Sequence, residues 1–127
     1  MRHLAIVCSL GLAVLPQAAA ADGDPEKGRE IYEACSYCHD PLPNRTMAAP
    51  DLGGVIGRPA GALPGFEYSD ALKDLKTRGV VWTEENLHDF IRDPRGYAPG
   101  TVMPFKGVKR KSLRDDLFAY LKTLPVR

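Results

Sequence analysis

The stretch Cys35-Ser36-Tyr37-Cys38-His39 has the form Cys-x-x-Cys-His. This is the pattern through which a haem of the c type is attached covalently to a polypeptide. The two cysteines lie about one helical turn apart, so both sulfurs can face one flat macrocycle and form a thioether to a vinyl group each. His39 follows at once and is placed to give an imidazole nitrogen to the iron. The motif therefore predicts one covalent haem c, held by Cys35 and Cys38, with His39 as an iron ligand.

Three other interpretations of the two cysteines fit the sequence less well. A thioredoxin-like redox pair belongs to a strand–helix–strand pattern, which the flanking residues do not have. A zinc site needs a second pair of ligands, and the histidines outside the motif are His3 and His88. A structural disulfide would leave the adjacent His39 as a coincidence. Haem attachment explains all three residues of the motif together.

Residues 1–21 have the features of a cleaved secretory signal peptide. A short positive start is followed by an apolar run over 4–15 and by four alanines, which offer cleavage after Ala20 or Ala21. The apolar run is too short to remain as a membrane anchor. We therefore expect a mature domain over residues 22–127, exported to the bacterial periplasm.

Charge and size restrict the class of protein. The chain has 17 basic and 16 acidic side chains, and removal of the signal takes Arg2 with it, so the mature net charge is near zero. Such a balance argues against nucleic acid as a partner. A mature chain this short buries little core of its own, and a covalent haem would supply the missing apolar mass.

The hydrophobic pattern predicts an all-α domain of four to five short helices joined by long loops. Helical patterns cover residues 24–37, 70–77 and 84–92, and a last helix has an apolar face that includes Leu117 and Leu121. The residues expected to cap the last three of these helices are Ser69, Thr83 and Ser112.

Two segments, 40–67 and 94–108, are expected to be loops because glycine and proline are frequent in them. A loop as long as the first one needs something to wrap around, and a haem edge is a good candidate. Met103 lies in the second segment, 64 residues after His39, where helical spacing is absent and two prolines stiffen the chain. This setting suits a thioether held on an iron better than the gap-filling role usual for a buried methionine. Met47 is expected at the surface.

Residues Gly23 to Leu124 resemble a class I cytochrome c, the family of small mono-haem electron carriers of bacteria and mitochondria. The resemblance covers nearly all of the mature chain, in the order of the family. Besides the haem motif, the stretches that carry it are Gly28 to Cys35, Pro50-Asp51-Leu52-Gly53, Gly57-Arg58, Pro64 to Ala71, Trp82, Tyr97 to Gly107 and Asp116 to Lys122. The implied fold is the cytochrome c fold, wrapped around one covalent haem.

The resemblance also implies roles for residues outside the motif. Met103 would be the distal axial ligand of the iron, and the carbonyl of Pro50 would accept a hydrogen bond from His39 and so fix its tautomer. Gly28 would let the first helix cross the last one closely, beside Tyr120. Four side chains would donate hydrogen bonds to the haem propionates: Arg58, Tyr68, Trp82 and Thr101.

With His39 and Met103 on the iron, no position would remain for a substrate, and the activity left is one-electron transfer. The resemblance thus implies a periplasmic carrier, not an enzyme, that shuttles electrons between a dehydrogenase or membrane complex and a terminal acceptor. We expect a soluble monomer that contacts membrane complexes only transiently. Two alternatives stay open: a peroxidase or gas-binding haem protein with Met103 off the iron, and a haem subunit bound permanently to a dehydrogenase.

Two positions depart from the family pattern. Many members have a tyrosine near the methionine sulfur and an asparagine in the middle helix, where this chain has Phe90 and Leu72. Both changes remove a polar group, which predicts a drier distal side of the haem.

A cluster of basic residues around the Met103 loop bears on partners. Cations at the start of a helix oppose its dipole, so local helix stability does not explain Lys109, Arg110 and Lys111. We expect redox partners with acidic docking surfaces. The members of this basic cluster are Arg95, Lys106, Lys109, Arg110, Lys111 and Arg114.

Overall fold

The computed structural model describes residues 23–40 and 48–126, which form five helices and, within those residues, no strand beyond an isolated bridge. The helices are α1 (Pro25–His39), α2 (Asp70–Thr77), α3 (Glu84–Arg92), α4 (Pro94–Tyr97) and α5 (Lys111–Leu121). The predicted all-α class is confirmed. The predicted signal peptide and Met47 lie outside the described residues. None of the helices in the described part of the chain is long and apolar enough to cross a membrane.

Helix α1 begins one residue later than predicted and runs two residues further. Asp24 is the N-cap, and its carboxylate accepts hydrogen bonds from the backbone N–H groups of Glu26 at 2.9 Å and Lys27 at 3.4 Å. The backbone N–H of Asp40 still donates to the carbonyl of Ser36 at 3.0 Å, so the helix includes the whole cysteine motif. The predicted end at residue 37 was therefore too early.

Helices α2 and α3 have the predicted bounds, and their caps differ. The Thr83 hydroxyl accepts a hydrogen bond from the N–H of Asn86 at 3.3 Å, as expected of an N-cap. Ser69 occupies the N-cap position of α2, but its side chain makes no capping hydrogen bond, so this part of the prediction was wrong. The start of α2 is instead satisfied through the Ser69 carbonyl, which accepts from Leu72 and Lys73 at 3.0 Å each.

The segment 94–108 is not loop throughout, as the sequence had suggested. Its first residues form α4, a single turn. Pro94 stands at the first helical position, where its missing N–H costs nothing, and the Asp93 carboxylate accepts from the N–H of Gly96 at 3.3 Å. Local capping is thus sufficient to turn the chain before it extends toward Met103.

The last helix starts at Lys111 with Arg110 as its N-cap, and Ser112 lies inside the first turn. The prediction of Ser112 as the cap was therefore wrong. Arg110 makes no side-chain capping bond. The approach to α5 is set by Arg114, whose guanidinium donates to the carbonyls of Val108 and Lys109 at 2.8 Å each. These bonds fix the chain that enters α5, but they do not cap the N–H groups of its first turn.

The first and last helices cross without space between their backbones. A Cβ atom placed on Gly28 would lie 2.0 Å from the carbonyl oxygen of Asp116 and 2.8 Å from the Cβ of Tyr120. The rings of Tyr32 and Tyr120 pack beside this point, with centroids 5.1 Å apart. The predicted role of Gly28 in a close crossing is confirmed.

Two distant loops are joined by backbone hydrogen bonds around the isolated bridge between Pro59 and Val81. The N–H of Ala60 donates to Val80 at 2.8 Å, and the N–H of Trp82 donates to the carbonyl of Arg58 at 2.8 Å. Arg58 and Trp82 are thereby held next to each other, on the wall of the cavity described below.

Candidate functional site

One cavity of about 370 Å³ opens between α1, residues 48–58 and the segment that contains Met103. Its wall is mostly apolar, with side chains such as Leu52, Val55, Phe66 and Leu87. All nine residues singled out in the sequence line it: Cys35, Cys38, His39, Pro50, Arg58, Tyr68, Trp82, Thr101 and Met103. The structure therefore brings the predicted residues together, although they are spread over most of the chain.

Helix α1 places Cys35, Cys38 and His39 on one face because residues three and four apart are neighbours on a helix. His39 is only 9% exposed. Its Nδ1 lies 2.7 Å from the carbonyl oxygen of Pro50. A carbonyl can only accept, so Nδ1 carries the proton and Nε2 keeps a free lone pair for a metal.

The ionisation of these side chains fits an apolar binding site. Burial lowers the pKa of His39 below its usual value and so favours the neutral imidazole that can bind a metal. Burial, aided by Asp40 and Cys38, raises the pKa of the Cys35 thiol to about 11. A thioredoxin-like pair needs a thiol with a lowered pKa, so the structure disfavours that interpretation of the motif.

The turn that carries Pro50 is held by Arg58. The Arg58 guanidinium donates to the carbonyl of Asp51 at 2.7 Å and to that of Gly53. The N–H of Gly53 donates to the Asp51 carboxylate at 2.6 Å. The sequence predicted that Arg58 binds a propionate, but it did not predict these hydrogen bonds to backbone carbonyls. Every residue has a carbonyl, so the residue pattern does not indicate which of them Arg58 contacts.

Met103 lies in a segment ordered by short-range bonds. The N–H of Thr101 donates to the carbonyl of Ala98 at 3.0 Å, and the Thr101 hydroxyl accepts from the N–H of Met103 at 3.4 Å. The Met103 side chain is half-buried and packs against the core. Its neighbour Val102 is 80% exposed, which puts this part of the segment at the rim of the cavity.

The remaining donors on the wall keep hydrogen-bonding capacity. The Tyr68 hydroxyl accepts from the N–H of Leu63 at 3.3 Å, which leaves its own proton to donate. The Trp82 indole is 6% exposed and packs against Phe90, with ring centroids 5.1 Å apart. Phe90 and Leu72 also line the cavity, so both departures from the family pattern lie on its wall.

The predicted basic cluster does not form one surface. Arg114 is 7% exposed and points inward, donating to His88 as well as to two carbonyls, so its assignment to the docking surface was wrong. Lys111 pairs with Asp115 at 2.8 Å, and Lys109 donates to the carbonyl of Arg92 at 2.8 Å. Arg95, Lys106 and Arg110 are exposed, and within the described residues they form no ion pair.

Comparison with known proteins bears on the family of the chain. No protein-family model matches it. It is 42% identical over 100 residues to cytochrome c-550 of Ancylobacter novellus, covering 78% of this chain and 94% of the relative. It is also 42% identical over 115 residues to cytochrome c2 of Blastochloris viridis, covering 88% of each. Among solved structures, cytochrome cH from Methylobacterium extorquens matches with a TM-score of 0.69 and 36% identity, over 80% of this chain and 99% of that one.

The similarity and the cavity agree. The relatives extend over most of the chain, so the likeness is not limited to the short haem motif. The cavity supplies two thiols, an imidazole and a thioether in apolar surroundings, a donor set that fits a covalent haem. The chain therefore belongs to the class I cytochromes c, electron carriers that hold a covalently attached haem c.

Proposed function

We propose that this chain is a periplasmic one-electron carrier whose haem is joined to Cys35 and Cys38, with His39 and Met103 as the two iron ligands. The observation that carries the proposal is the convergence of these four residues on one apolar cavity. When bound, the haem supplies the one-electron chemistry between ferrous and ferric iron. Its usual partners would be a dehydrogenase or membrane complex as donor and a terminal acceptor.

The residues around the cavity have separate tasks in this proposal. Pro50 holds the His39 ring in one tautomer, and Arg58 holds the turn that carries Pro50. A ligating histidine held in this way is a stronger and better oriented donor. Tyr68, Trp82 and Thr101, with the free N–H groups of Arg58, are proposed to donate to the propionates, since buried carboxylates need such partners.

The proposal also covers export of the chain to the periplasm and its action there as a carrier. The secretory pattern of residues 1–21 supports removal of a signal peptide after Ala20 or Ala21 and a mature domain over 22–127 in the periplasm. We propose that the mature protein acts as a soluble monomer. Its exposed basic residues near the cavity, such as Lys106, would favour partners with acidic surfaces.

The variant Met103→Ala tests the ligand set. Loss of the thioether should give a high-spin ferric form that binds small ligands, with a lower reduction potential, because a soft neutral ligand favours ferrous iron. Absorption spectroscopy of the ferric protein follows the sulfur–iron charge-transfer band. The control is Met47→Ala, the other methionine after the predicted signal, which should keep the band. The assignment would be overturned if the Met47→Ala variant lost the band and the Met103→Ala variant kept it.

A further inference from the structure

A polar network outside the cavity connects α3 to α5. His88 of α3 lies between two side chains of α5: Arg114 Nε donates to His88 Nδ1 at 3.2 Å, and His88 Nε2 is 3.4 Å from Asp115 Oδ1. The imidazole stacks on Phe118, with ring centroids 4.2 Å apart, and its side chain is 17% exposed. The network is therefore largely shielded from water, and nothing in electron transfer itself requires it.

The contacts of His88 define its protonation state. An Arg114 N–H can only donate, so His88 Nδ1 must offer a lone pair and the proton lies on Nε2, facing the Asp115 carboxylate. The neutral ring satisfies both neighbours. A second proton on Nδ1 would remove the acceptor and set an imidazolium against a guanidinium.

Arg114 holds the chain that leads away from Met103. Its Nη1 donates to the carbonyls of Val108 and Lys109 at 2.8 Å each. The same short segment is fixed to the end of α3, since the N–H of Val108 donates to Ile91 at 2.8 Å and Gly107 lies against the carbonyl of Arg92. This anchor lies four to six residues beyond Met103, so it limits how far the Met103 segment can move away from the cavity.

The charges that face His88 come from both helices. On α5, Asp115 favours protonation of the imidazole, while Arg114 and Lys111 oppose it; on α3, Glu84 favours it. Burial is the largest influence, and the resulting pKa of His88 lies below its ordinary value of 6.5. The neutral ring is thus the form at neutral pH, and the proton binds only as the pH falls below that value.

We propose that His88 and Arg114 form a pH-sensitive latch on the Met103 segment: protonation of His88 in acid weakens the hold of Arg114 and makes Met103 easier to displace from the iron. Arg114 is a positioning residue here, because it acts on Met103 through the backbone of residues 108 and 109. The inference rests on the proposed function in one respect, the role of Met103 as ligand.

The opening of the Met103 segment can be measured on the ferric holoprotein with imidazole as the entering ligand. At saturating imidazole, the binding rate reaches a limit set by departure of Met103, and extrapolation to that limit removes the effect of protonation of the ligand itself. Between about pH 7.5 and about pH 4.5, we expect the limiting rate to rise about tenfold, the size of one lost hydrogen bond to a charged group. The midpoint should lie below 6.5.

The decisive variant is His88→Asn. The asparagine Oδ1 can replace Nδ1 as acceptor for Arg114, but it does not titrate, so the rate should stay near the wild-type value at neutral pH and lose its rise in acid. The matched control is Lys111→Gln, which removes a charge beside Asp115 and leaves Arg114 untouched. It should keep the rise and move its midpoint upward, because the Lys111 charge lowers the pKa of His88.

A third variant tests the anchor directly. Arg114→Lys keeps the charge but cannot reach two carbonyls and the His88 ring at once, so the limiting rate at pH about 7.5 should rise about tenfold. If this variant does not fold, the His88→Asn comparison still decides.

The outcomes separate this inference from the proposed function. A wild-type sulfur–iron band at neutral pH that depends on Met103 supports the ligand assignment regardless of the latch. With that band present, a limiting rate that does not change with pH, or a rise retained in His88→Asn, would overturn the latch. Absence of the band would overturn the ligand assignment and the latch with it.

Discussion

At the level of single residues, the ring of His39 is fixed from outside the motif. Its Nδ1 partner is the Pro50 carbonyl, and the turn after Pro50 is fixed in turn by Arg58. Because His39 depends on Pro50, and the turn after Pro50 depends on Arg58, a five-residue motif is not enough to make a metal site. The motif supplies the ligand, and residues far along the chain supply its orientation.

Phe90, which lines the same cavity as Met103, gives a prediction at the same scale. Phe90 is buried on the cavity wall and has no group to donate, whereas Phe90→Tyr adds a hydroxyl there. A hydrogen bond to the Met103 sulfur would withdraw electron density from it and disfavour ferric iron. We expect the reduction potential to rise by about 20–40 mV, the equivalent of roughly 0.5–1 kcal/mol for one electron. The measurement is a redox titration followed by absorption.

This prediction has a clear negative result. An unchanged potential, with an unchanged pH of ligand exchange, would mean that position 90 does not reach the sulfur. A retained sulfur–iron band would show that the protein is folded and that the ligand itself is intact.

At the level of elements, the crossing of α1 and α5 depends on the absence of one side chain. The Gly28→Ala variant would place a Cβ 2.0 Å from a backbone oxygen, and neither helix can yield without moving its own packing. We expect the free energy of unfolding to fall by about 2–3 kcal/mol, the upper part of the range for overpacking. Urea denaturation of the holoprotein measures it.

A second glycine supplies the control for this experiment. Gly79 has a φ of +70° with open space around it, so Gly79→Ala tests backbone strain without a clash. That variant should lower the free energy of unfolding by about 1–2 kcal/mol. If Gly28→Ala cost no more than Gly79→Ala, the close crossing would not be an important source of stability.

At the level of the whole molecule, near-zero net charge leaves local charge to guide association. Lys106 is exposed beside the cavity segment, whereas Lys27 and Arg29 on α1 are engaged with Asp24 and Glu26. The Lys106→Glu variant should therefore lower the association rate with an acidic redox partner more than Lys27→Glu or Arg29→Glu does. Stopped-flow electron transfer at several ionic strengths measures these rates.

The salt dependence is part of the same prediction. The wild-type rate should fall as ionic strength rises, because screening shortens the reach of charges at the surface. Since Arg114 is buried and Lys111 is paired, the decrease should be moderate. A rate independent of salt, or equal effects of the three charge reversals, would show that the exposed basic residues do not guide association with the partner.

The sequence by itself determined the features that depend on short spacing. The cysteine motif, the cap Thr83, the bounds of α2 and α3, and the glycine at the helix crossing all follow from neighbours along the chain or from the family resemblance. In each case the relevant atoms are within about one helical turn or at a position where only glycine fits.

Only the tertiary structure decided how the charged residues are used. Arg114 looked like one more cation in a basic run, yet its partners are two backbone carbonyls and a histidine 26 positions earlier. The same holds for Arg58, whose carbonyl partners carry no signature in the sequence. The physical reason is that every residue offers a carbonyl, so the folded path of the chain, and not residue type, selects which one a buried cation meets.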